Sequence, residues 1–226
     1  MITAVVFDMD GLLFDTENLA RISWIESADE MAITGIDEVY HHFIGLNRAD
    51  GNALLSKMNG EDFPVLEFRK RATEIFNEKL ERDGLPVKPG VKELLQWLKE
   101  NRIKTAVASS SRREVVCSHL EKAGFLDYFQ VIVGGDMVEH SKPEPDIYLK
   151  ACRELGEEPS GVAAVEDSPN GIRAAARAGM IPLMVPDLVA PTEELKQLFH
   201  GSFNSLFEVK RFLGENICSP EYRKFN

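Results

Sequence analysis

The sequence predicts an α/β protein, a doubly wound parallel sheet with an inserted α-helical cap. Three observations lead there. The segment ITAVVF, residues 2–7, is a short continuous apolar run, as suits a parallel strand buried on both faces. Residues 16–85 then carry apolar spacings of three and four and no second run of that kind. Beyond residue 90, apolar runs alternate with helical segments of about a dozen residues, the rhythm of a sheet wound by crossover helices.

In chain order, the helical stretch holds NLARISWIESADEMAI, EVYHHFI, ADGNALLSKM and VLEFRKRATEIFNEKLERDG. Gly35, Gly60 and Gly84 fall where turns would separate these helices. VKPGVKELLQWLKENRI reads as a loop and a helix ahead of the strand KTAVAS. RREVVCSHLEKAGF is a helix leading to the strand FQVIVGGD, and EPDIYLKACRELG a helix leading to GVAAVED. SPNGIRAAARAG leads in the same way to IPLMV. Further helices are expected around EELKQLF and NSLFEVKRFLG, and little structure in the last dozen residues. Two chain crossings, near residues 15–17 and 84–90, would join cap to core, with Pro86 and Pro89 stiffening the return. The core then takes residues 1–15 and 87–226, and the cap residues 16–86.

A chain of 226 residues with 44% hydrophobic and 28% charged residues can bury a large core. Its net charge of −11 argues against nucleic acid or an anionic membrane as partner. The same charge means that an anionic substrate needs a local cation. Cys117, Cys152 and Cys218 are odd in number and lack metal-ligand spacing, as expected of free thiols in a reducing compartment. No segment has the pattern of a signal peptide or reaches 18 consecutive apolar residues, so a cytoplasmic protein is expected. Nothing in the sequence demands an oligomer, and a monomer is expected.

In open parallel sheets, ligands gather beyond the carboxyl ends of the strands. Asp8 and Asp10 follow the first strand, and Ser109, Ser110 and Ser111 the second. Gly134, Gly135 and Asp136 follow the third, with Lys142 soon after; Glu166, Asp167 and Ser168 follow the fourth. Hard oxygen ligands without His or Cys suit Mg²⁺, and Mg²⁺ suits phosphate. Phosphoryl transfer asks for positioning and charge neutralisation. A carboxylate can attack phosphorus, and a second acid can protonate the leaving oxygen and then activate water. A lysine, hydroxyls and backbone amides can hold the phosphoryl oxygens. Plainer readings stand beside these: Asp and Gly form turns, and serines cap helices. Like charges at a buried strand end favour the chemical reading.

DMDGLLFDTE resembles the DxDGxxxDT signature of the haloacid dehalogenase superfamily. ASS after the second strand, Lys142 in SKPEPDIY, and EDSPNG complete that superfamily's four motifs in order. SKPEPDIY and EDSPNGIRAA are especially similar to its β-phosphoglucomutase-like phosphatase branch. The resemblance covers nearly the whole chain and implies a Rossmann-like core with an α-helical cap. It implies Asp8 as nucleophile and Asp10 as general acid/base. It implies Mg²⁺ held by Asp8, the Asp10 backbone carbonyl and Asp167, with Glu166 as ligand or support. Ser109 and Lys142 would hold phosphoryl oxygens, with Ser110 and Asn170 as supporting contacts. Arg48, in a cap loop, reads either as an exposed arginine or, as in the family's cap, as one that meets a second anionic group; Lys70 and Arg71 are weaker candidates of the same kind.

The implied activity is Mg²⁺-dependent hydrolysis of small phosphorylated metabolites, sugar phosphates foremost, through an aspartyl-phosphate. A β-phosphoglucomutase-type phosphotransferase is the alternative, and a non-catalytic ligand-binding module a third. In the mutase branch a histidine on the first cap helix couples closure to the general acid. Ala20 stands at the matching position and favours hydrolysis. His41 and His42, about 100° apart on a helix, read as a solvated or half-buried pair. Trp24 and Trp97 read as core residues.

Overall fold

A computed structural model describes residues 1–44, 46, 48–60 and 62–217, without the side chains of 48–50. Strand β1 (Ala4–Phe7) lies near the middle of a six-stranded sheet. The others are β2 (Lys104–Ser109), β3 (Val131–Gly134), β4 (Val162–Glu166), β5 (Ile181–Met184) and β6 (Gly201–Ser202). Their order is β3-β2-β1-β4-β5-β6, and every pairing is parallel. The winding reverses direction across β1, so β1 and its neighbour β4 flank the switch point. Phe7 sits in register with Val107 on one side and Val165 on the other. Asp8 continues that ladder by one bond, its N–H donating to the Val165 carbonyl at 3.0 Å.

The two faces of the sheet are built from different side chains. Val5, Phe7, Val107 and Val165 face one way, into a cluster with Leu13, Phe14, Leu94 and Leu98. Ala4, Val6, Ala106, Ala108 and Ala164 face the other way. Alternation along each strand produces this division. The first face is covered by α5 (Val91–Glu100), α6 (Arg113–Lys122) and α9 (Leu206–Asn216). The alanine face is covered by α7 (Asp146–Leu155) and α8 (Pro169–Arg177), which present Ala151, Ala174 and Ala175 in return. Small residues on both sides let these two helices approach the sheet closely.

Between β1 and α5 the chain forms α1 (Thr16–Glu30), α2 (Ile36–Val39), α3 (Arg48–Asn59) and α4 (Val65–Asp83). These helices have a core of their own, with Trp24, Ala28, Tyr40, Phe43, Leu55 and Phe68 buried together. The Trp24 ring meets Tyr40 and Phe68 edge-on at centroid distances of 5.2 and 5.3 Å. The two chain crossings run side by side. Asp15 N–H donates to the Pro86 carbonyl at 2.8 Å, and Lys88 N–H to the Leu13 carbonyl at 3.0 Å. Phe14 and Val87 thereby form an antiparallel bridge.

The structure departs from the sequence reading in the weaker elements. EELKQLF forms only a 3₁₀ turn at Leu195–Gln197, because Leu195 turns inward against Ile172 and Met184. EVYHHFI is one α turn continued by a 3₁₀ turn, Tyr40–His42, since Tyr40 and Phe43 must both reach the insert's core. β6 is a two-residue edge strand that no hydrophobic run announces. His41 and His42 are exposed, their ring centroids 3.9 Å apart. Trp24 is buried, and Trp97 packs at the edge of the larger core cluster. Cys117 and Cys152 are free thiols, and Cys218 lies outside the described residues. Among the described residues no helix is long and apolar enough to cross a membrane.

Phe68 is fully buried while Leu66, on the same helix, is 75% exposed. Phe68→Ala is expected to cost about 3–5 kcal/mol, and Leu66→Ala less than about 0.5 kcal/mol. Denaturant unfolding followed by tryptophan fluorescence measures both, because Trp24 touches Phe68.

Candidate active site

The loop after β1 is pinned by its apolar side chains. Met9, Leu12, Leu13 and Phe14 are all buried, and Leu13 and Phe14 N–H groups donate back to the Met9 carbonyl. Gly11 turns the chain between them at φ +83°. A Cβ on Gly11 would strike the Asp167 carboxylate, so glycine is needed for space as well as for conformation. Buried anchors on either side thus deliver Asp8 and Asp10 to the carboxyl edge of the sheet.

Lys142 gathers the acids. Its Nζ, in a side chain 3% exposed, donates to Asp8 Oδ1 at 2.5 Å, Glu166 Oε1 at 2.6 Å and the Ala108 carbonyl at 3.0 Å. Tyr148 of α7 donates its hydroxyl to Glu166 Oε1 at 2.5 Å. Glu166 Oε2 accepts from the Ser168 hydroxyl at 3.1 Å and from the N–H groups of Asp167 and Ser168. Ser168 Oγ also accepts the Gly171 N–H, so one hydroxyl caps α8 and holds Glu166. A Cβ on Gly171 would overlap the Glu166 carboxyl. Glu166 is therefore a buried, fully held carboxylate that fixes Lys142.

One carboxylate oxygen from each of Asp8, Glu166 and Asp167 lies within 4.8 Å of the others, and all three residues are buried. Burial pushes the Asp8 carboxyl well above the usual range; Lys142 opposes this, while Glu166 and Asp10 add to it. Asp167 is raised well above its usual value by burial and then by Asp8, Glu166, Glu17 and Asp187. Lys142 stays protonated: burial works against its charge, but Asp8 and Glu166 outweigh it. One ammonium cannot balance three carboxylates at this spacing. The donor set, hard oxygen atoms in mutual repulsion, fits a divalent cation.

Asp10 is held by three hydroxyls. Thr16 donates to its Oδ1 at 2.7 Å, and Ser109 and Ser111 to its Oδ2 at 3.2 and 3.0 Å. Thr16 opens α1, Ser109 ends β2 and Ser111 lies two residues beyond it, so Asp10 is held by the insert and the sheet together.

These groups floor a cavity of about 560 Å³ roofed by the helical insert. Asp8, Asp10, Ser110, Lys142 and Asp167 all line it. Ser109 is fully buried behind them, its hydroxyl accepting the Ser111 N–H while it donates to Asp10. Ser110 and Ser111 present the hydroxyl side of the floor. Asn170, the second residue of α8, is not among the lining residues. Asp136 is turned to α6, where its carboxylate accepts the Arg113 N–H at 2.8 Å. Arg48 opens α3, and its side chain lies outside those described. Lys70 pairs with Glu74, and Arg71 with Glu30, Glu74 and Glu78. Among the described cations of the insert it is Arg69 that lines the cavity, its guanidinium 4.6 Å from the Trp24 ring centroid.

Among the other lining residues, the sequence reading singled out Ala20 but not Thr16, His119 or Glu17. Thr16 lies inside the first motif, and that motif could have flagged it. Ala20 was noted, and it lines the insert side. His119 of α6 is buried edge-on to Phe14 with its Nδ1 unpartnered among the described residues, and burial lowers its pKa. Glu17 lines the insert side, accepting the Tyr40 hydroxyl at 3.3 Å. Burial, then the charge of Asp10, raises the Glu17 carboxyl to about 7.

A carboxyl raised on folding favours the folded state at low pH, and that advantage is lost as pH climbs toward 7. Glu17→Gln is therefore expected to match the parent near pH 4 and to exceed its stability by about 1–2 kcal/mol near pH 8. Denaturant unfolding at the two pH values, without added metal, measures the difference.

Residues 5–185 match the family model described as haloacid dehalogenase-like hydrolase. A Thermotoga maritima protein called phosphorylated carbohydrates phosphatase is 33% identical over 181 residues, 78% of this chain and 82% of that one. A β-phosphoglucomutase of Bacillus subtilis is 31% identical over 202 residues, 82% of this chain and 88% of that one. The crystal structure of CbbY from Rhodobacter sphaeroides in complex with phosphate superposes with a TM-score of 0.76 at 29% identity, covering 92% of this chain and 96% of that one. The chain belongs to the haloacid dehalogenase-like hydrolases, in their β-phosphoglucomutase-like branch.

Proposed function

We propose that this protein is a Mg²⁺-dependent phosphatase that hydrolyses small phosphorylated metabolites, sugar phosphates foremost, through a phosphorylated Asp8. The observation that carries the reading is the buried Asp8–Lys142 pair on the floor of a roofed cavity, with Asp10 two residues on. The name of the Thermotoga relative supports the substrate class. In this reading residues 16–86 act as a cap over a core made of 1–15 and 87–226.

The chemistry divides among the chain's own residues. Asp8 Oδ attacks phosphorus as the ester bond to the leaving oxygen breaks, and protonated Asp10 gives that oxygen its proton. Asp10, now ionised, takes a proton from water as the water attacks phosphorus and the Asp8–phosphorus bond breaks. Inorganic phosphate leaves and Asp10 is again protonated. Lys142 holds Asp8 in place and faces the phosphoryl oxygens with Ser110 and Ser111. Asp8, Asp167 and the Asp10 carbonyl would hold the cation, with Glu166 in support; when bound, it supplies charge neutralisation of the phosphoryl oxygens. The roof of the cavity limits the substrate to small esters and excludes bulk water during transfer.

The second reading, a β-phosphoglucomutase-type phosphotransferase, has a relative of that name in its favour. Against it stands Ala20, which lines the cavity and offers no hydrogen bond to couple closure to Asp10. A non-catalytic binding module would have little use for a nucleophile, a lysine and an acid held in this order.

A phosphate-release screen over phosphorylated metabolites, with and without Mg²⁺, tests the proposal. Turnover is expected on sugar phosphates with Mg²⁺, and Asp8→Asn is expected to abolish it. Asp10→Asn is expected to slow esters with poor leaving groups by about 10²–10⁴-fold. Isomer interconversion outpacing phosphate release would favour the mutase instead, and binding without turnover the module.

A further inference from the structure

Asp187, in the loop after β5, plays no part in the chemistry above. Its Oδ1 accepts from Lys88 Nζ at 2.5 Å, and the same ammonium pairs with Asp15 at 2.9 Å. Lys88 and Asp15 belong to the two chain crossings between sheet and helical insert. The other oxygen, Oδ2, is buried and has no hydrogen-bond partner among the described residues. A sealed carboxylate oxygen left without a donor is destabilising.

Its neighbour makes the arrangement informative. Asp187 Oδ2 and Asp167 Oδ2 both lie within 3.3 Å of one point, the place a Cβ would take on Gly11. Both acid oxygens thus lie close against Gly11, and Asp167 is one of the acids of the proposed cation site. Repulsion should drive them apart unless something positive or donating sits nearby. Asp187 stays outside the group of acids whose atoms lie within 4.8 Å of one another, so it is placed for contact through water rather than for direct ligation. A water on a divalent cation is a strong donor and would satisfy the orphaned oxygen.

We propose that Asp187 is the outer acid of the cation site, accepting a hydrogen bond from a metal-bound water, independently of its ion pair with Lys88. This rests on the cation site of the proposed function. Asp187 is a positioning residue in this scheme and does not touch substrate.

Calorimetric titration of the full chain with MgCl₂ tests it, with no substrate present. Asp187→Asn is expected to weaken Mg²⁺ binding about 10-fold. Lys88→Met breaks the same ion pair from the other side but keeps the carboxylate, so its Mg²⁺ binding is expected to be at least as tight as the parent's. Equal weakening in both variants would mean a merely structural ion pair and overturn the proposal, as would Asp187→Asn binding within about twofold of the parent. Should Asp187→Asn fail to fold, Asp187→Ser gives the same readout. Asp167→Asn separates the levels: if the parent binds Mg²⁺ and only Asp167→Asn loses it, the outer acid fails and the cation site survives. A parent that binds no Mg²⁺ overturns both.

Discussion

The Lys142 ammonium, bonded at once to Asp8 and Glu166, is the contact on which the rest of the site depends. Removing one member of such a buried network leaves a charge without compensation, which is far more damaging than losing a surface pair. The lysine comes from the segment between β3 and α7, and its two acids end β1 and β4, adjacent strands at the switch point. Sheet order and charge pairing therefore enforce each other. The three acids outnumber the lysine, and a divalent cation would restore balance. A chain of net charge −11 can then receive an anionic ester at one neutralised spot.

The helical insert contributes a different kind of surface. Its aromatic residues are buried together, and at their margin Glu17 and Arg69 enter the cavity. The floor is nearly all acid, lysine and hydroxyl. In the proposed function, phosphoryl chemistry belongs to the floor, and selection among leaving groups to the roof. Thr16 joins the two, as the first residue of α1 and a donor to Asp10.

Residues where a strand ends were legible in the sequence, because a buried parallel strand is a continuous apolar run and its last residue marks the carboxyl edge of the sheet, where ligands gather. Asp8, Asp10, Lys142, Glu166 and Asp167 all came from that rule and meet in space. Asp187 also follows a strand, so the same rule could have found it. Residues in the insert were harder to rank. RKR at 69–71 gives three cations in a row, and only the placement of Phe68 and Ala72 against the insert's core decides which one turns to the cavity. Ser109, expected to face phosphate, stands at the last rung of β2, where its hydroxyl donates to Asp10. β6 and the 3₁₀ turn at Leu195–Gln197 were hidden because their structure comes from tertiary packing rather than local periodicity.

The bridge between Phe14 and Val87 has a consequence for how such a protein can change. The chain leaves the sheet and returns to it at neighbouring points, so everything between behaves as a cassette clipped into one hairpin-like seam. Lengthening, shortening or exchanging that cassette need not disturb a single rung of the sheet or the lysine network beneath it. The roof can therefore be rewritten without rebuilding the sheet, provided a donor is kept at Thr16 for Asp10.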